Sequence, residues 1–144
     1  MKIYVASSWR NEYQPEVVRA LREANHEVYD FRNPTADDRG FSWAEIDSAW
    51  RDWTMEQFID ALDHPIAVDA FGKDMGAMEW ADACVMVLPC GKSAHSEMGW
   101  FTGKAKPTII YCPEATTEPE LMYKQADFVF ASLEVVIEAL GTLA

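Results

Sequence analysis

Ala83-Cys84-Val85-Met86-Val87-Leu88 is an unbroken apolar run that opens directly into the loop Pro89-Cys90-Gly91-Lys92-Ser93. A run of this length reads as a strand buried on both faces, which requires a sheet covered on both sides. The segment Ala94 to Lys104 reads as the helix that follows it. A Gly/Ser/Lys loop that leaves a parallel strand and enters a helix is where open α/β sheets hold their ligands. On this spacing Glu97 lies on the first turn of the helix, a carboxylate facing the crevice beside unpaired backbone N–H groups.

The same alternation runs through the chain. Lys2 to Ala6 predicts a first strand, ended by Ser7-Ser8. Pro15 suits the first turn of a helix in which Val17, Val18 and Leu21 fall at helical spacing through Ala24, with Asn25 as a left-handed stop. Glu27 to Phe31 predicts the second strand, reached by a right-handed crossover. Thr108 to Tyr111 and Asp127 to Phe130 predict two more, and Ser132 caps a final helix to about Leu140. The expectation is an α/β fold: a flavodoxin-like or Rossmann-like, doubly wound, parallel five-stranded sheet.

The middle differs in character. Arg32 to Gly40 is polar and turn-rich. Ser42-Trp43-Ala44-Glu45 matches a capping box and predicts a helix carrying Ile46, Ala49 and Trp50. Thr54-Met55-Glu56-Gln57 matches a second box for a helix through Leu62, interrupted at His64-Pro65, and a third helical stretch covers Val68 to Trp80. These residues read as a helical insertion after strand 2, about 33–66, within a single domain of 1–144. Its rings, Phe41, Trp43, Trp50 and Trp53, could stack a nucleobase, but at helical spacing they fit core or interface better.

A chain of 144 residues, 49% of them apolar, suffices for one domain that buries roughly two thirds of its unfolded surface. A net charge of −12 argues against a nucleic acid polymer or an anionic membrane as partner, since both need a basic face. A small anionic ligand stays compatible, because local Arg, Lys and N–H groups outweigh distant charge. Cys84, Cys90 and Cys112 have no CxxC spacing, so a reduced, cytoplasmic protein is expected, with Cys84 in the core. The opening strand predicts no signal peptide, and no apolar run nears the roughly 20 residues that span a bilayer.

Three segments are expected at the carboxyl ends of strands 1 and 3. Ser7-Ser8-Trp9-Arg10-Asn11 offers hydroxyls, a guanidinium and amides for an anion, and equally suits a capped, solvated turn. Asp74, in Gly72-Lys73-Asp74, could accept hydrogen bonds from sugar hydroxyls, although in isolation it reads as a helix N-cap. Glu97 is a candidate for chemistry, or a first-turn Glu interacting with the helix dipole. Lys92 and Ser93 suit phosphate or an exposed turn, and His95 fits a surface helix position better than acid–base work. No His/Cys/Asp spacing resembles a metal site, and GxGxxG, Walker and GxSxG motifs are absent from the sequence.

Taken in order, Lys2-Ile3-Tyr4-Val5-Ala6-Ser7-Ser8, Asp74 with Ala81-Asp82, and Ser96-Glu97-Met98-Gly99-Trp100 resemble the nucleoside 2-deoxyribosyltransferase superfamily, including its 2'-deoxynucleoside 5'-monophosphate N-glycosidases. The resemblance covers most of the chain and loosens from 33 to 66. It implies that Glu97 is the nucleophile at the anomeric carbon, that Tyr4 orients it, and that Asp74 binds the sugar or protonates the departing base. It implies that Ser8 and Arg10, with Ser93, hold a 5'-phosphate, and that Ser7 and Gly91 also belong to the substrate-binding residues. It further implies a nucleoside or nucleotide substrate, no cofactor or metal, and a homodimer or higher homo-oligomer. Gly91 stands where transferases carry a base-contacting Asp, a departure that favours water over a second base as acceptor. Three rival readings are base exchange, a TIR-like NAD glycohydrolase, and a non-catalytic nucleotide-binding or interaction module.

Overall fold

A computed structural model of the chain describes residues 1–115 and 118–144. In chain order its elements are β1 (Lys2–Ala6), α1 (Gln14–Glu23), β2 (Glu27–Asp30), α2 (Met55–Leu62), α3 (Pro65–Trp80), β3 (Ala83–Val87), α4 (Lys92–Gly103), β4 (Thr108–Tyr111), β5 (Phe128–Phe130) and α5 (Leu133–Leu143). Contacts divide them into two units, Met1–Asp30 with Met78–Ala144, and Phe31–Ala77.

The first unit is built on one sheet, ordered β2-β1-β3-β4-β5, and every pairing is parallel. The chain leaves β1 toward one edge and β3 toward the other, so the order reverses between these two strands. Side chains alternate across the sheet. Ile3, Val5, Val85, Val87 and Ile109 pack with Val17, Val18 and Leu21 of α1 and Val136 and Leu140 of α5. Tyr4, Cys84, Met86 and Ile110 alternate with them and are also buried. The Tyr4 ring stacks on Tyr29 at 5.3 Å and meets Phe101 of α4 at 5.6 Å. Full burial on both faces is why β3 carries no polar residue.

Helix ends follow local chemistry. Asn25 adopts φ 65, as expected of a left-handed stop. Its N–H reaches the Arg22 carbonyl at 3.0 Å, and that of His26 reaches Leu21 at 3.1 Å. This double bond pattern consumes carbonyls that a helix end leaves over. α4 ends the same way around Ala105, at φ 55, with Ala105 N–H to Thr102 and Lys106 N–H to Phe101, both at 3.0 Å. The Lys106 ammonium then donates to the carbonyls of Met78, Glu79 and Ala81 at 2.9, 2.8 and 2.6 Å, closing the C-terminal end of α3.

In the second unit Trp43 is the hub. Phe41, Trp53 and Phe58 meet it edge to face at 4.8, 5.8 and 6.0 Å, so these rings pack on one another while staying only partly buried, Phe58 being exposed. Both capping boxes form. The helix predicted from Trp43 to Trp50 does not: the chain makes only short 3₁₀ turns at Trp43–Glu45 and Trp50–Asp52. Asp47 accounts for this, since its carboxylate accepts from the Ala49 N–H at 2.9 Å and the Trp53 indole at 2.7 Å, competing with helical bonding. α3 starts at Pro65 rather than Val68, because proline at the first position sacrifices no helical bond. Lys73 pairs with Asp38 at 3.0 Å and with Asp69 at 3.1 Å. Among the described residues, no helix is long and apolar enough to cross a membrane.

Candidate functional site

The loops that follow β1 and β3 are bound to one another by side chains. Ser7 is buried, and its hydroxyl donates to the Val87 carbonyl at 3.0 Å. Asn11, 3% exposed, donates from its amide to the carbonyls of Val87 at 3.2 Å and Pro89 at 2.9 Å. Its amide oxygen accepts the N–H groups of Tyr13 and Gln14, at 2.8 and 2.9 Å, where α1 begins. The Gly91 N–H donates to the Ser8 hydroxyl at 2.6 Å. Two strand ends and two helix starts thus share one network at the switch point, the expected position for a ligand. Arg10 is exposed beside it.

α4 begins at Lys92, earlier than the spacing predicts, with Gly91 as an extended N-cap and no side chain capping it. Glu97 is therefore in the second turn, not the first, and the expected dipole interaction loses force there. Ala94, Met98 and Phe101 form the buried stripe of α4. Glu97, three residues after Ala94, lies on that stripe and is half-buried. A charged group on the sheet-facing side of a helix has a desolvation cost that packing alone does not explain.

Neighbouring thiols report its field. Burial first, and then the Glu97 charge, push the Cys84 thiol well up and the Cys90 thiol up to about 12. Cys84 is level with Tyr4 in the β1–β3 register, so the Glu97 charge acts next to Tyr4 at the switch point. Burial also raises Cys112. Burial thus disfavours the thiolate at all three cysteines, the reverse of what an activated nucleophile needs.

His95 uses both ring nitrogens within the protein. Nδ1 lies 2.7 Å from the Gly91 carbonyl and Nε2 lies 2.9 Å from the Tyr123 hydroxyl, with the two rings stacked at 5.7 Å. Because a carbonyl only accepts, Nδ1 carries the proton and Tyr123 donates to Nε2 when the ring is neutral. Tyr123, in the short helical turn between β4 and β5, carries no sequence signal that would have selected it.

Asp74 belongs to the second unit. It is within α3, nine residues past the first, so the N-cap expectation is corrected. It lies on the helix face shared by Ala67, Ala77 and Met78, all buried. The structure brings Ser7, Ser8 and Gly91 together and sets Tyr4 and Glu97 on one side of the sheet. Ser93 and Lys92 are exposed in the first turn of α4. Among the described residues, no group of three or more His, Cys, Asp or Glu could hold a metal ion.

A parallel sheet of order 2-1-3-4-5, its order reversing between β1 and β3, is a doubly wound, flavodoxin-like α/β fold. Solved structures share it. A 2-deoxyribosyltransferase from Bacillus psychrosaccharolyticus matches 95% of this chain and 90% of its own, with a TM-score of 0.65 and 18% identity. A conserved protein from Enterococcus faecalis V583 matches 100% and 99%, at 0.62 and 15%. The CMP N-glycosidase BcmB of Clostridium botulinum matches 98% and 99%, at 0.54 and 13%. No protein-family model matches the chain, and no curated protein does. At these identities the likeness is one of fold.

Proposed function

We propose that this protein is an N-glycosidase that cleaves the base–sugar bond of a nucleoside or 2'-deoxynucleoside 5'-monophosphate, with Glu97 as nucleophile. The observation that carries the reading is Glu97 itself, the one acidic residue of α4, half-buried on the apolar, sheet-facing stripe where β1 and β3 diverge. The Glu97 carboxylate attacks the anomeric carbon as the C–N bond breaks, and the base leaves with a proton taken from solvent, which the water of the second step gives back. Water then cleaves the glycosyl ester, returning the carboxylate and releasing the sugar phosphate. Tyr4 orients Glu97, a role in keeping with the Glu97 charge acting on Cys84, Tyr4's neighbour in register. Ser8, Arg10 and Ser93 take the 5'-phosphate, helped by the uncapped N–H groups of α4. Asp74 is assigned to the sugar or departing base by the resemblance alone.

Water is preferred as acceptor because position 91 is glycine and carries no carboxylate to hold an incoming base. That one of the fold neighbours is a CMP N-glycosidase agrees with hydrolysis, and that another is a 2-deoxyribosyltransferase makes base exchange the second reading. The test incubates the protein with ribo- and deoxyribonucleosides, their 5'-monophosphates and NAD, and measures free base by chromatography. Base release from monophosphates is expected, reduced on the order of 10³-fold or more by Glu97→Ala. Full activity in that variant would end the proposal, and release that requires a second free base would establish exchange instead.

A further inference from the structure

The hydrogen-bond chain through His95 is not used by the chemistry proposed above, and its location gives it a purpose. The two peptide units that flank the Gly91 Cα are each held by a side chain. The Gly91 N–H is bonded to Ser8 at 2.6 Å and the Gly91 carbonyl to the His95 ring at 2.7 Å. The main-chain N–H of His95, which would ordinarily take that carbonyl as the first helical bond, is 3.4 Å away. The Gly91 carbonyl therefore accepts twice from His95, from the ring in the shorter bond and from the main chain in the longer one. The ring is itself fixed by Tyr123, through the 2.9 Å bond and the stacked contact. Because the peptide bond is planar, fixing the Gly91 carbonyl also fixes the direction of the Lys92 N–H.

We infer that His95 and Tyr123 are positioning residues that lock the β3–α4 loop beside the carboxyl ends of β1 and β3, setting how tightly the nucleotide is bound rather than how fast its bond is cleaved. The distinction follows from α4. Glu97 is on a stretch anchored by Ala94, Met98 and Phe101, all buried, so loss of the His95 ring disturbs Gly91 and leaves the nucleophile in place. Neither ring nitrogen is available for acid–base work while both bonds are made. This inference rests on the proposed N-glycosidase reading, and it adds residues that the reading does not need for bond cleavage.

The test separates the two claims by measuring binding without turnover. Nucleoside 5'-monophosphates are titrated calorimetrically onto Glu97→Ala protein, alone and combined with His95→Ala, His95→Asn or Tyr123→Phe. Amide exchange of residues 89–93 is followed in the same proteins. Tyr123→Phe removes one hydrogen bond and is expected to weaken binding about two- to tenfold. His95→Ala removes both bonds and the stacking, for about ten- to a hundredfold, with faster exchange in the loop. His95→Asn keeps a donor near Nδ1 and is expected to recover part of the loss. In the catalytically competent protein the same changes raise KM and leave kcat within about threefold. A purely structural role would lower Tm and the active fraction but leave Kd and KM unchanged, since neither depends on how much protein is folded; that result overturns the inference. Unchanged loop exchange, or a fall confined to kcat, overturns it as well. A parent protein that binds monophosphates but releases no base would end the N-glycosidase proposal while leaving the loop lock to be judged on its Kd. A parent that binds none ends both.

Discussion

Asn11 offers a direct test of the network at the switch point. Its side chain makes four bonds, donating to the Val87 and Pro89 carbonyls and accepting from the Tyr13 and Gln14 N–H groups, and it is 3% exposed. Asn11→Ala removes all four and leaves buried groups on both sides. At about 1 kcal/mol per bond, with allowance for the unsatisfied groups, the loss is about 3–5 kcal/mol. For 144 residues the unfolding entropy is about 0.3 kcal/mol/K, so Tm should fall by about 10–17 °C. Asn11→Asp isolates one half of the network. A carboxylate still accepts both N–H groups at the start of α1, but its second oxygen now faces two carbonyl oxygens. Thermal and urea unfolding followed by circular dichroism read both variants. A fall of less than about 1 kcal/mol in Asn11→Ala, or wild-type stability in Asn11→Asp, would refute the claim that this amide joins the two loops.

The remaining predictions concern single groups. Cys90 should alkylate slowly at pH 8 in a Cys112→Ser background, and Glu97→Gln should speed the reaction, because removing the carboxylate charge lowers a thiol pKa now held near 12. An unchanged rate would remove Glu97 from that neighbourhood. Ala105→Gly should raise stability by up to about 1 kcal/mol, seen as a Tm increase, because glycine adopts φ 55 without the strain of a Cβ; a Tm decrease would contradict the left-handed assignment. Asp47 has its carboxyl lowered by the Trp53 indole N–H and then by the Ala49 N–H. A folded pKa below the unfolded one contributes stability above about pH 4 that is lost as pH falls toward the folded value. Trp53 emission should therefore change in acid below about pH 4, and Asp47→Asn should flatten that titration.

Much of the fold was legible because parallel strands leave unmistakable traces. Val85 and its neighbours must be apolar in both directions along the pleat, and Asn25 stands where a helix needs a left-handed residue. What failed was local. Ser42 and Glu45 form the box that starts a helix, but nothing in a helical pattern signals that Asp47 will take the next two donors for itself. Pro65 was read as an interruption when the same ring chemistry makes it a helix beginning.

The site was legible to the extent that it follows topology, and illegible where it depends on which partner a polar group selects. Ser7, Ser8 and Gly91 could be assigned to the switch point from the order of strands alone. Asn11 looked like one more polar loop residue, and only its four partners make it the joint between two loops. His95 looked like a surface residue because the sequence contains no trace of Tyr123 approaching from beyond β4. Glu97 is the instructive case. An error of two residues in the start of α4 hid that it lies in the second turn, beyond the dipole-favoured first, where only its place on the stripe of Ala94, Met98 and Phe101 describes it. That shift strengthens the functional reading. A first-turn Glu is stabilised by the helix and needs no further reason to exist, whereas a carboxylate at a core-facing position costs desolvation and must be maintained by something else. Catalysis at a carbon that becomes cationic in the transition state supplies such a reason.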